Sequence, residues 1–220
     1  MNLIRSRGHV LLLFTLTKRI KYDRIKVNWD GVLCPLHNMR KGEIFVKKIL
    51  VLVDLQNDFV DGALGSSEAV SIIPKCVQKI KEHEDDIYVT LDTHYENYME
   101  TSEGAKLPVP HCIKGTYGHE LNQEIKNALS GRIYTTVEKG TFGSVVLPQI
   151  IEQRYKGEEI SFELIGLCTD ICVVSNALVL KANFPEAQMC VDASCCAGVT
   201  PDKHNAALET MRSCQIEVKE

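Results

Sequence analysis

The sequence lacks any segment able to cross a membrane. Its most apolar early stretch, residues 10–16 (Val-Leu-Leu-Leu-Phe-Thr-Leu), is far shorter than the roughly 20 residues a membrane helix needs. Lys18-Arg19 follows it, not the small residues of a signal-peptide cleavage site, so a secretory signal is not expected either. An excess of charge is also missing. A net charge of -4 over 220 residues gives no reason to expect nucleic acid or a membrane surface as a partner. There is no paired cysteine framework: the nine cysteines are odd in number and irregularly spaced. They read as reduced thiols of a cytoplasmic protein. Repeats, low-complexity tracts and interdomain linkers are absent, which leaves one ordinary globular domain with enough chain to build a full core.

The charge that is present is uneven. Residues 1–45 hold nine Lys/Arg against three Asp/Glu, a charge of +6, which leaves -10 for the rest. This segment has poor periodicity and contains the single tryptophan, Trp29. A basic, acid-poor start is one property of transit peptides. A different reading is preferred. Lys41-Gly42-Glu43 is what a purine-rich ribosome-binding site spells when translated, and Val46 then reads as a GTG start codon. Residues 1–45 are accordingly treated as an extension, foreign to the native chain or a genuine addition to it, and residues 46–220 as the domain.

From Lys48 onward the pattern is regular. Residues 49–53 (Ile-Leu-Val-Leu-Val) form the continuous apolar run of a parallel strand covered on both faces. Further strands are expected at 87–91, 132–137, 160–165, 187–191 and 214–218. Helices are expected at 67–82, 121–129, 144–153, 173–183 and 201–212. Residues 55–67 read as loop, and residues 93–118, rich in Gly, Pro and polar residues, as a long irregular stretch of the kind that usually carries function. Strands alternating with helices predict a three-layer α/β/α sandwich around a six-stranded parallel sheet with right-handed crossovers.

The stretch Ile165-Gly166-Leu167-Cys168-Thr169-Asp170-Ile171-Cys172-Val173-Val174 organises the chain. Gly166 permits a sharp turn after a strand, and Thr169 or Asp170 is placed to cap the helix that follows. Cys172 then falls in the first helical turn, where the helix dipole favours a thiolate. Asp54 ends the first strand and Lys139 the third, so both are expected at the same sheet edge, where open α/β sheets bind ligands. There Lys139 would hold the thiolate by charge and Asp54 would accept and return its proton. Taken singly, each has a competing reading: a buried structural cysteine, a helix-capping aspartate, a solvated surface lysine.

Three motifs carry a resemblance: Val53-Asp54-Leu55-Gln56-Asn57-Asp58-Phe59, Glu138-Lys139-Gly140-Thr141-Phe142-Gly143-Ser144 and Gly166-Leu167-Cys168-Thr169-Asp170-Ile171-Cys172-Val173. As a set they are similar to the isochorismatase-like cysteine hydrolases, whose best-known branch is the nicotinamidases. The resemblance implies a catalytic triad of Asp54, Lys139 and Cys172. It implies an oxyanion hole from the backbone N–H groups of Cys168 and Cys172, with a cis Leu167–Cys168 peptide, and substrate contacts from Gln56 and Phe59. It implies a nicotinamidase-like hydrolysis of a small-molecule amide through a thioester, without an organic cofactor, in a homo-oligomer. Ureido or carbamoyl compounds are the alternative substrates.

The same resemblance implies a divalent metal, with zinc, iron or manganese suited to the mixed N/O ligands Asp92, His94 and His111. Glu103 is the nearest candidate for a fourth ligand, with Glu100 behind it. The chain departs from the nicotinamidase pattern at Leu107-Pro108-Val109-Pro110-His111, where the approach to the last histidine lacks an aromatic residue. Two readings of another class remain: a thiol-redox protein using Cys168/Cys172 or the vicinal Cys195-Cys196, and a non-catalytic binding member of the fold.

Overall fold

The computed structural model describes residues 46–220. The expectations for residues 1–45 lie outside the described residues. In chain order the elements are β1 (Lys47–Val53), α1 (Asn57–Val60), α2 (Ser67–Glu82), β2 (Asp86–Asp92), α3 (Gln123–Ala128), β3 (Tyr134–Lys139), α4 (Leu147–Arg154), β4 (Ile160–Leu167), α5 (Val174–Asn183), β5 (Gln188–Ala197), α6 (Pro201–Ser213) and β6 (Glu217–Lys219). A 3-10 turn at Tyr98–Glu100 and a π turn at Thr169–Val173 complete them. The six strands pair in parallel throughout, in the order β3-β2-β1-β4-β5-β6.

Strand periodicity divides the core in two. Ile49, Val51 and Val53 of β1 pack toward Leu147 and Ile151 of α4, Ala177 and Leu180 of α5, and Met211 of α6. Leu50 and Leu52, pointing the other way, meet Ile72, Ile73, Cys76 and Ile80 of α2 and Ile125 of α3. Both sides of β1 are therefore dry, which is why its sequence is a continuous apolar run. No helix among the described residues is long and apolar enough to cross a membrane.

Three sequence expectations need correction. The 55–67 loop contains the single helical turn α1. The strand expected at 187–191 continues to Ala197 through a slip in register, with Ala193, Cys195, Cys196 and Ala197 small enough to stay buried on one face or the other. The helix expected from 173 is preceded by a wide π turn, and Thr169 and Asp170 do not cap it. Thr169 Oγ1 instead lies 2.8 Å from His204 Nδ1, and Asp170 Oδ1 accepts the N–H of Val199 at 2.9 Å. The two side chains thus join that turn to α6 and to the connection that precedes it.

The strand order reverses between β1 and β4, and the backbones there approach very closely. Gly166 has φ +128°, and a Cβ on it would lie 2.0 Å from the Val53 carbonyl oxygen. The register between β4 and β5 shifts at the same place, between Leu164 and Gly166. Neither the backbone angle nor the space admits a side chain. Gly166→Ala is expected to cost more than about 4 kcal/mol in denaturant unfolding, or to prevent folding outright. A loss below about 1 kcal/mol would contradict this close contact.

Candidate active site and metal centre

The carboxyl ends of β1, β2, β3 and β4 bring four of the expected residues to one edge. Asp54 follows β1 in a left-handed conformation, φ 49°, which turns its fully buried side chain toward the neighbouring strand ends. Its Oδ2 lies 2.6 Å from Lys139 Nζ, and its Oδ1 accepts from Thr90 Oγ1 at 2.6 Å. Lys139 Nζ also lies 3.6 Å from Cys172 Sγ and 3.5 Å from Asp92 Oδ1. The Leu167–Cys168 bond is cis.

The electrostatics follow from burial. Desolvation raises the Asp54 pKa, and Lys139 offsets this only in part. Burial also disfavours the Lys139 ammonium, but Asp54, Cys172 and Asp92 together hold its pKa above the ordinary lysine range. For Cys172, burial first and the Asp54 carboxylate second push the thiol well above its usual value. The expected resting thiolate is thereby corrected. Cys172 sits inside the π turn ahead of α5, in a dry site facing a carboxylate, and desolvation exceeds the pull of the helix dipole. Cys168 is likewise raised, to about 12, by burial and by Asp170 and Asp54.

Beside this group, Asp92, His94 and His111 converge. Asp92 Oδ2 is 3.0 Å from His94 Nε2 and 3.5 Å from His111 Nε2, while Glu103 Oε1 is 3.7 Å from each. His111 Nδ1 faces the Val109 carbonyl at 2.8 Å and so donates to it, turning Nε2 toward the carboxylates. His94 Nε2 is buried and, although 3.0 Å from Asp92 Oδ2, makes no well-aligned hydrogen bond. Two imidazole nitrogens and the Asp92 carboxylate lie close enough together to share one ion, with Glu103 beside the imidazoles, a donor set that fits a divalent transition metal. Glu103 is the acid turned to this point, whereas Glu100 is exposed. Tyr98, which sequence reasoning did not single out, packs edge-on against both histidine rings and anchors the loop by donating to Leu107 O at 2.9 Å.

The expected substrate contact from Gln56 is not what the structure holds. Its amide donates to the carbonyls of Asp92 and His119, both at 2.9 Å, and accepts from the Asp92 N–H at 2.7 Å. Those bonds use up a fully buried side chain that does not reach the cavity. Asn57 and Asp58 act alike, on Tyr117 O and on the Cys112 N–H. Phe59 does line the cavity, which has a volume of about 720 Å³ and opens over Cys172. Phe142 supplies a second aromatic wall. Asn176 was also missed by sequence reasoning. It binds the Cys172 and Phe142 carbonyls and the Ser144 N–H, tying the lysine-bearing loop to the cysteine-bearing turn. A lone buried amide in an apolar helix was the available signal. Cys195 and Cys196 point to opposite faces of β5, and the eight described cysteines are all free.

With this geometry in place, the isochorismatase domain profile matches residues 48–219. The chain belongs to the isochorismatase family. Among its relatives, the nicotinamidase/pyrazinamidase of Mycobacterium tuberculosis is 26% identical over 78% of this chain and 97% of that protein. A crystal structure of the Bacillus subtilis nicotinamidase/pyrazinamidase superposes with a TM-score of 0.69 at 26% identity, covering 80% of this chain and all of that one. The Pyrococcus horikoshii pyrazinamidase, solved in complex with zinc, shares the isochorismatase fold at a TM-score of 0.62 and 24% identity, covering 79% and 99%.

The raised Cys172 pKa has a direct readout, because only the thiolate alkylates. Inactivation by iodoacetamide is expected to keep accelerating with pH beyond about 9. Asp54→Asn is expected to shift the profile to lower pH, since a carboxylate that disfavours the thiolate is removed. A wild-type rate that levels off below neutral pH would contradict the assignment.

Proposed function

We propose that this protein hydrolyses a small-molecule amide by acyl transfer to Cys172. The observation that carries this reading is the buried line from Asp54 through Lys139 to Cys172, opening into the cavity. The Cys172 thiol gives its proton to Asp54 as the sulfur attacks the amide carbonyl. Lys139 stays protonated throughout: it holds the Asp54 carboxylate in place and steadies the sulfur as it becomes anionic. Oxyanion stabilisation is assigned to the backbone N–H groups of Cys168 and Cys172. Asp54 passes the proton to the departing nitrogen, which leaves as ammonia from a primary amide and gives a thioester. It then takes a proton from water, whose oxygen attacks the thioester, and returns that proton to Cys172. The relatives named nicotinamidase/pyrazinamidase make carboxamides of small nitrogen heterocycles the first substrates to assay, by ammonia release.

Asp92, His94 and His111, with Glu103, are proposed to hold one divalent metal. When bound, it supplies a positive centre at the cavity wall that can accept a substrate lone pair. Asp92 turns its second oxygen to Lys139, so the ligand set adjoins the acyl-transfer group without contributing its nucleophile.

Cys172→Ser is expected to lower kcat at least about a thousandfold, since a hydroxyl ionises far less readily than a thiol. Cys168→Ala should retain substantial turnover, because only its backbone is used. The reverse pattern would overturn the assignment of the nucleophile. For the metal, elemental analysis of protein purified without chelator should give about one equivalent of divalent transition metal per chain. His94→Ala and His111→Ala should abolish that signal. Wild-type protein that stays metal-free after incubation with zinc, iron or manganese would remove the site.

A further inference from the structure

The cavity is larger and more cationic at its mouth than a neutral one-ring carboxamide requires. At about 720 Å³ it is of the size that encloses drug-sized ligands. Much of its wall is apolar, from Phe59, Leu64, Phe142, Leu167 and Ile171. Two lysines line it as well: Lys106, on the loop that carries Glu103 and His111, and Lys203, in the first turn of α6. Both are exposed to solvent on the cavity rim.

Neither ammonium has an ion-pair or hydrogen-bond partner among the described residues, whereas the buried Lys139, behind Cys172, has two carboxylates. The acids that line the cavity are already engaged. Asp92 is shared by His94, His111 and Lys139, and Glu103 faces the two imidazoles. The two cations therefore stand on the cavity rim without a counter-charge. The start of α6 strengthens this polarity. Gly198 and Val199 line the cavity just before the helix, and the dipole of its thirteen residues puts its positive end there.

We infer that the substrate is an amide bearing a carboxylate remote from the scissile carbonyl, its body in the apolar section and its carboxylate between Lys106 and Lys203. This inference rests on the amidase reading above. Two unpaired lysines on a solvent-facing rim both draw such a substrate in and orient it, carboxamide end inward.

The test is a matched pair: benzamide carrying a carboxylate at the meta position against benzamide carrying a hydroxymethyl group there, compared by ammonia release. The carboxylate amide is expected to have a kcat/KM about tenfold or more higher, with the preference shrinking as salt is added. The Lys106→Met/Lys203→Met double variant is expected to lower that ratio about tenfold, and Lys106→Arg/Lys203→Arg to keep it. A wild-type preference for the neutral amide, or a ratio unchanged in the methionine variant, overturns the inference while the amidase reading stands. If wild-type protein cleaves neither these amides nor nicotinamide, both fall together.

Discussion

A carboxylate and an ammonium, both almost wholly removed from water, meet at the point where the strand order reverses. Burying either charge alone would cost several kcal/mol, so each is tolerable only beside the other. Much of the local structure serves that pairing. Thr90 donates to the free oxygen of Asp54, Asp92 offers Lys139 a second carboxylate, and the left-handed turn at Asp54 aims the first. The glycine of β4 allows the neighbouring strand to close over β1. A thiol placed against such a pair has its pKa raised by burial and by the carboxylate beside it. The environment of the sulfur, and not the helix end alone, sets its ionisation.

How much of this was legible in the sequence depends on the range of the interaction that decides each feature. Strand β1 was readable because both its faces are apolar and five consecutive residues record the fact. The shared edge of Asp54, Lys139 and Cys172 was readable because parallel topology sends the carboxyl ends of all the strands to the same side. The ionisation state of Cys172 was not. A dipole argument uses only the neighbours along the chain, whereas desolvation depends on everything that packs around the sulfur. Residues 193–197 hid their strand for a similar reason. Small side chains and cysteines carry little β signal, and only the sheet to either side makes them one.

The motif around Asp54 shows a different limit. Gln56, Asn57 and Asp58 look like residues that greet a ligand, being polar, clustered and next to a reactive carboxylate. Their partners are instead backbone groups 36 to 63 positions away, on the far side of a loop whose conformation has no local periodicity. Nothing in one sequence distinguishes an amide meant for a substrate from one meant for a remote carbonyl. Asn176 was easier to suspect, because a polar residue inside an apolar helix already contradicts its surroundings.

The three pins set by Gln56, Asn57 and Asp58 have an architectural result. They fasten the long loop at Asp92, where it begins, and at Cys112, Tyr117 and His119, where it returns. The intervening span, with Glu103, Lys106 and Leu107, is held by Tyr98 and the histidine pair at its base. A span moored at both ends by groups outside it is an interchangeable part. Its length and side chains can be rewritten by evolution or by an engineer while the moorings, and the Asp54, Lys139 and Cys172 group beneath them, stay where they are. One hydrolytic engine can thus be fitted with many different mouths.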